Sequence, residues 1–143
     1  MSWRGDVAIL TVLLALSACS DLPRDPEDTS ARVRAEKIIR LGEVAGAPKD
    51  AAAEAALQRL AVRTGARVER TQGHGEELLE GLEEGKFDLV YGHFADDSPW
   101  ARHVHFGTPP AGPKHPAKSQ RVARFAFRMG ENGWLSMVEA AGK

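Results

Sequence analysis

The stretch Gly81–Pro110, GLEEGKFDLVYGHFADDSPWARHVHFGTPP, decides how this chain is read. Leu78, Leu79 and Leu82 share one face of a short helix, and Gly85 ends it, because a glycine just past the last turn takes a left-handed conformation that other residues resist. Phe87–Tyr91 follows as a short, mostly apolar strand. A polar loop and a second extended segment come next, closed by Pro109 and Pro110, which cannot continue a hydrogen-bonded ladder.

The same alternation extends outward. Ile38–Val44 reads as an apolar strand turned by Gly46 and Pro48. Asp50 suits a helix N-cap, and Ala53, Ala56, Leu57, Leu60 and Ala61 recur at helical spacing up to Gly65. Asp50 and Glu54 at the start and Arg59 and Arg63 at the end agree with the helix dipole. Arg67–Thr71 alternates polar with β-branched residues and reads as an exposed edge strand. Residues 108–118 hold four prolines and form a crossover without regular structure. Val122–Arg128 is a further strand, and Trp134–Ala141 a closing helix. Strands alternating with helices predict one α/β domain over residues 36–143, a mostly parallel sheet of four to five strands with helices on both faces.

The N-terminus reads as a targeting segment. Val7–Leu16 is apolar, too short to span a bilayer comfortably, and followed by small residues. Leu16-Ser17-Ala18-Cys19 matches the lipobox of bacterial lipoproteins, and Cys19 is the only cysteine of the 143 residues, so no internal disulfide competes for it. Residues 1–18 are expected as a lipoprotein signal peptide. Residues 19–35 are expected as the lipidated Cys19 and a flexible, acidic, proline-containing tether. Acyl chains such as palmitate on Cys19 would hold the mature protein to a membrane of the cell envelope, inner or outer, facing the periplasm or the exterior.

Lys and Arg number 19 against 20 Asp and Glu, interspersed, so the chain has no field of one sign to grip phosphates; nucleic acid is not an expected partner. No Gly-x-Ser-x-Gly elbow, Walker loop or His-Glu-x-x-His motif occurs, and Asp96 and Asp97, being adjacent, diverge rather than flank a substrate. An enzyme is therefore not expected, nor is a cofactor.

The order of segments resembles the first lobe of the family 3 extracellular solute-binding proteins, the substrate-binding components of ABC transporters with the type 2 periplasmic-binding fold. Leu78–Asp88, with Gly85-Lys86-Phe87-Asp88, is similar to that family's helix, turn and strand. Val104-His105-Phe106-Gly107-Thr108-Pro109 is similar to the segment the family ends in Phe-Ser-x-Pro-Tyr, and the final ARFAFRMGENGWLSMVEAAGK to the strand and helix that return to lobe one. The resemblance implies a single-lobe, truncated lipoprotein member, because only a proline-rich dozen residues stand where the second lobe would be. It also implies that Trp100 occupies the place of the arginine that grips a ligand carboxylate, with Arg102 two positions on where a local shift would rescue the role, and that amino-acid carboxylate recognition is lost.

In such sheets ligands sit at the carboxyl ends of the strands. That marks Glu43, Ala45 and Gly46 after the first strand, His74 after the second, and Gly92, His93, Ala95 and Asp96 after the third. Trp100 and Arg102 lie beyond. Trp100 either offers a stacking face or plugs the surface left by the missing lobe. The expected role is a membrane-anchored, non-catalytic module of a transport or sensing system, binding a small polar solute or a partner protein. The alternative is a metal-binding periplasmic lipoprotein using His93, His103 and His105, imidazoles being common metal ligands.

Overall fold

The computed structural model describes residues 25–48 and 50–143. The signal peptide, Cys19 and the first part of the tether lie outside the described residues. Four helices, α1 (Thr29–Glu36), α2 (Ala51–Thr64), α3 (Gly75–Glu83) and α4 (Asn132–Ala141), surround five strands, β1 (Ile38–Val44), β2 (Arg67–Gly73), β3 (Leu89–Phe94), β4 (Val104–Phe106) and β5 (Val122–Arg128). A short 3-10 turn, Pro99–Arg102, joins β3 to β4. The strand order is β2-β1-β3-β5-β4. β1 pairs parallel with β2 and β3, and β5 runs antiparallel to both β3 and β4. The mostly parallel α/β lobe is as expected, with β2 at an edge.

Side-chain alternation along each strand feeds two cores. Leu41, Leu89, Tyr91, Phe125 and Phe127 point to one face, where Leu57 and Leu60 of α2, Trp134 and Val138 of α4 and Val33 of α1 cover them. Val90, Phe94 and Ala126 point to the other, under Leu78, Leu79 and Leu82 of α3. Asp50 caps α2 by accepting from Ala52 N at 2.9 Å, and Gly65 ends it at φ 65°. The Trp134 indole N–H donates to Asp88 O at 3.0 Å, which ties α4 to the base of β3.

Two expectations change. The third strand begins at Leu89, not Phe87, and runs to Phe94. Phe87 instead packs beside Gly81, whose missing side chain leaves it room, and the buried Asp88 carboxylate accepts from Arg40 N at 2.8 Å and pairs with Arg32. The ordered domain also begins before residue 36. Asp25 accepts from Gly133 N and Trp134 N, filling the N-terminal donors of α4 that no residue of α4 satisfies. The buried Glu131 carboxylate accepts from Glu27 N at 2.7 Å and Thr29 N at 2.9 Å, and α1 buries Val33. Residues 25–35 are thus built into the domain rather than a flexible tether.

Candidate functional site at the carboxyl ends of the strands

β1 and β3 lie side by side, Glu43 opposite Tyr91, so their carboxyl ends share one pole of the sheet. β5 runs the other way and delivers its first residue, Val122, beside Phe94 at that pole. The crossover from β4 to β5 therefore turns over the strand ends. Asp97 N donates to Lys118 O at 3.1 Å, and Arg121 Nε and Nη2 donate to His93 O at 3.3 and 3.2 Å.

Two clefts open here. The larger, about 380 Å3, lies on the α3 side among Gly75, Leu79, His93, Phe94, Trp100 and Arg121. The smaller, about 60 Å3, lies on the α2 side among Glu43, Gly46, Asp50, Glu54 and Tyr91. Val44 lines the smaller cleft, and its Cγ2 stands 3.8 Å from the place a Gly75 Cβ would take. One valine thus separates the two. It reaches that position because Gly92 has no side chain: a Cβ there would stand 2.6 Å from Val44 Cγ2 and 2.8 Å from Phe94 Cζ.

The charges are unevenly spread. Arg70 on β2 donates to both Glu54 oxygens at 2.8 Å and to Glu43, and the hydrogen bond it gives Glu54 is the main cause of its raised pKa, with burial opposing. The Tyr91 hydroxyl is buried with no hydrogen-bond partner among the described residues. Burial, followed by the charges of Asp50, Glu54 and Glu43, pushes its pKa up to about 12. On the other side Arg124, 2% exposed, pairs with Asp96 through Nη1 while its Nε and Nη2 have no partner among the described residues.

Of the residues expected at the site, Glu43 and Gly46 line the smaller cleft, and His93, Ala95 and Trp100 the larger. Gly92 shapes the wall between them. Asp96 is turned toward Arg124. Ala45 is exposed on the turn, its N–H donating to Gly73 O. His74 is the exposed N-cap residue of α3, and Arg102 is exposed at the end of the 3-10 turn; neither lines a cleft. Trp100 packs on the α3 core, its ring edge-on to His103 at 5.7 Å, so the indole both covers that core and walls the cleft.

The histidines do not converge. His93 is paired with Ala123 and His105 with Phe127, four residues further along β5, a separation of about 13 Å along the strand. His103 bonds Glu83 at 3.1 Å. Among the described residues no group of three or more His, Cys, Asp or Glu side chains is placed to hold a metal ion.

Sequence reading missed Arg121, Tyr91, Asp50 and Glu54 as cleft residues. Arg121 was hidden behind the proline segment, although it immediately precedes the strand that pairs with the end of β3. Tyr91 read as core.

No protein-family model matches the sequence, and no curated protein does. Solved structures do. The arginine-bound form of domain 1 from TmArgBP is 14% identical, with a TM-score of 0.62 over 78% of this chain and 95% of that one. An amino acid ABC transporter substrate-binding protein from Streptococcus pneumoniae bound to L-arginine is 9% identical, with a TM-score of 0.62 over 80% of this chain and 90% of that one. A mutant of ArgBP from T. maritima is 10% identical, with a TM-score of 0.64 over 79% and 91%. The described chain has the single-lobe α/β fold of these solute-binding proteins, as the order of segments around Gly81–Pro110 implies.

Proposed function

We propose that this protein is a non-catalytic binding module that holds a small polar solute for a transport or sensing system. The observation that carries the reading is the cleft of about 380 Å3 at the carboxyl ends of the strands, where an indole, an imidazole and a guanidinium converge on an apolar floor. A concave, mostly apolar site with a few convergent polar groups is what small-molecule recognition uses. The likeness to a solute-binding domain crystallised with arginine supports it, because there one domain is described in a ligand-bound form. Trp100, in the place of the usual carboxylate-binding arginine, supplies a face for stacking, and Arg121 supplies the cation.

The lipid anchor at Cys19 belongs to the same proposal. Asp25, the first described residue, is held at the N-terminus of α4, which follows the end of β5 at the pole opposite the clefts. A tether leaving there would keep the clefts turned away from the membrane, toward the periplasm or the exterior. Among the described residues no helix is long and apolar enough to cross a membrane.

Thermal unfolding with amino acids, sugars and divalent metals tests the reading, since a ligand that binds the folded state raises its melting temperature. Stabilisation by amino acids is the expected result. Stabilisation by metals alone would favour the metal-binding alternative, and none at all would leave a partner protein as the occupant of the strand-end face.

A further inference from the structure

Past β4 the chain leaves the sheet edge and crosses toward α4. Gly107 N donates to Phe125 O at 2.9 Å, and Thr108 N donates to Glu139 Oε1 on α4 at the same distance, 2.9 Å. Gly107 passes this closely because it has no side chain: a Cβ there would stand 2.6 Å from Phe127 Cε2. The crossover from Thr108 onward thereby walls a cavity of about 280 Å3 that opens between α2, α4 and β5. Its floor is apolar, made by Ala56, Phe125, Phe127 and Val138, each no more than 3% exposed to solvent. The cavity shares no lining residue with either strand-end cleft, and the Tyr91 and Phe125 rings, 5.4 Å apart, stand on the two sides of the division. A solute seated at the strand ends leaves it open.

The polar groups around this floor are of unequal standing. Glu139 has one oxygen committed to Thr108 N. Lys114 of the crossover and Lys143 beyond α4 also line the cavity; both are exposed, and neither has an ion-pair partner among the described residues. We propose that this flank cavity is a second binding site, for a small carboxylate with an apolar, ring-sized body: the body covers Phe125, Phe127 and Val138, and the carboxylate accepts from Lys114 and Lys143. A dry cavity of about 150 Å3 holds one benzene ring, so the space here takes a ring together with a short acid-bearing chain. An apolar recess with a few polar groups at its mouth is the usual form of a small-molecule site. A cationic head would meet two ammoniums and a carboxylate already in use. A metal ion lacks a ligand set among the described residues.

Two-dimensional NMR titration of the full chain with 3-phenylpropionate, 3-phenylpropanamide and 3-phenylpropylamine tests the assignment, the three sharing a ring and chain length but carrying a negative, a neutral and a positive head. Saturable shifts are expected at Ala56, Thr108, Phe125, Val138 and Gly142. The carboxylate should bind about three-fold more tightly than the amide, as befits an ion pair at an exposed mouth, and the amine most weakly. Lys114→Gln with Lys143→Gln, both at exposed positions, should bring the ratio of carboxylate to amide affinity toward one. Ala56→Leu should weaken all three by filling the cavity; should that variant fail to fold, the lysine variant carries the comparison. Shifts at His93–Ala95 and Trp100 instead, equal affinities for carboxylate and amide, tightest binding of the amine, a ratio that the lysine variant leaves intact, or no saturable shifts with any of the three would each overturn the proposal. None of these outcomes bears on the strand-end clefts, which amino acids test separately.

Discussion

Arg124 on β5 and Asp96 beyond β3 form an ion pair in which the guanidinium is 2% exposed and the carboxylate 40% exposed. Asp96 thereby anchors the loop that follows β3 to the strand beside it. It holds Ala95 and the 3-10 turn with Trp100 against the larger cleft. The pair is asymmetric: Asp96 without Arg124 would still meet water, whereas Arg124 without Asp96 would be a buried charge with none of its nitrogens bonded.

Asp96→Ala should therefore lower stability by about 1–3 kcal/mol, the cost of leaving a buried polar group unpaired, since the carboxylate side of the pair is open to solvent. Replacing both residues, Asp96→Ala with Arg124→Met, should recover much of the loss, because no buried charge then remains. Denaturant unfolding of the three variants measures both effects.

Gly92→Ala should cost about 1–3 kcal/mol, the usual penalty of overpacking, since the new Cβ would stand 2.6 Å from Val44 Cγ2. Val44 must then shift, and the wall between the clefts shifts with it. Solute affinity should fall together with the melting temperature. Val44→Ala with Gly92→Ala should restore more stability than affinity.

Tyr91 is the only tyrosine of the chain, so tyrosinate absorbance reports it alone. In the folded protein its midpoint should lie near 12, and in denaturant near the ordinary value of about 10. Because the folded state keeps the proton longer, this group's contribution to stability is complete below pH 10 and is lost as pH rises toward 12. The loss amounts to about 2–3 kcal/mol at about 1.4 kcal/mol per unit. A single midpoint near 10 in the folded protein would contradict the burial of this hydroxyl.

A chain beginning at residue 36 should be less stable than one beginning at residue 25 by about 3 kcal/mol or more. It loses the burial of Val33, and it leaves the Glu131 carboxylate, 2% exposed, without the Glu27 and Thr29 donors. Comparing the two chains by thermal unfolding measures the contribution of this segment.

That segment also shows where sequence reading stops. The strands and helices from Ile38 onward announce themselves by apolar spacing, by Asp50 at a cap and by glycines at Gly65 and Gly85, all of them local signals. α1 buries only Thr29 and Val33 and carries no apolar stripe; it is held by Glu131, about a hundred positions away, which no local pattern reveals. The same holds at the site. The rule that ligands gather at strand ends places Glu43, Gly46, His93, Ala95 and Trp100 along the clefts. It does not find Arg121, which reaches His93 only through the antiparallel register of β5, nor the turn of Asp96 toward Arg124. β3 starts at Leu89 rather than Phe87 because Phe87 packs beside Gly81 and Asp88 pairs with Arg32 and Arg40 N, contacts that no local pattern announces.

Solute binding at the strand ends is tested most sharply by a two-dimensional NMR titration of the protein with L-arginine, which locates binding as well as detecting it. Saturable shifts concentrated at Glu43–Gly46, Tyr91–Ala95, Trp100 and Arg121 are expected. Saturable shifts confined to the opposite pole, around Arg32, Arg40 and Arg128, or no shifts with any amino acid, would contradict it.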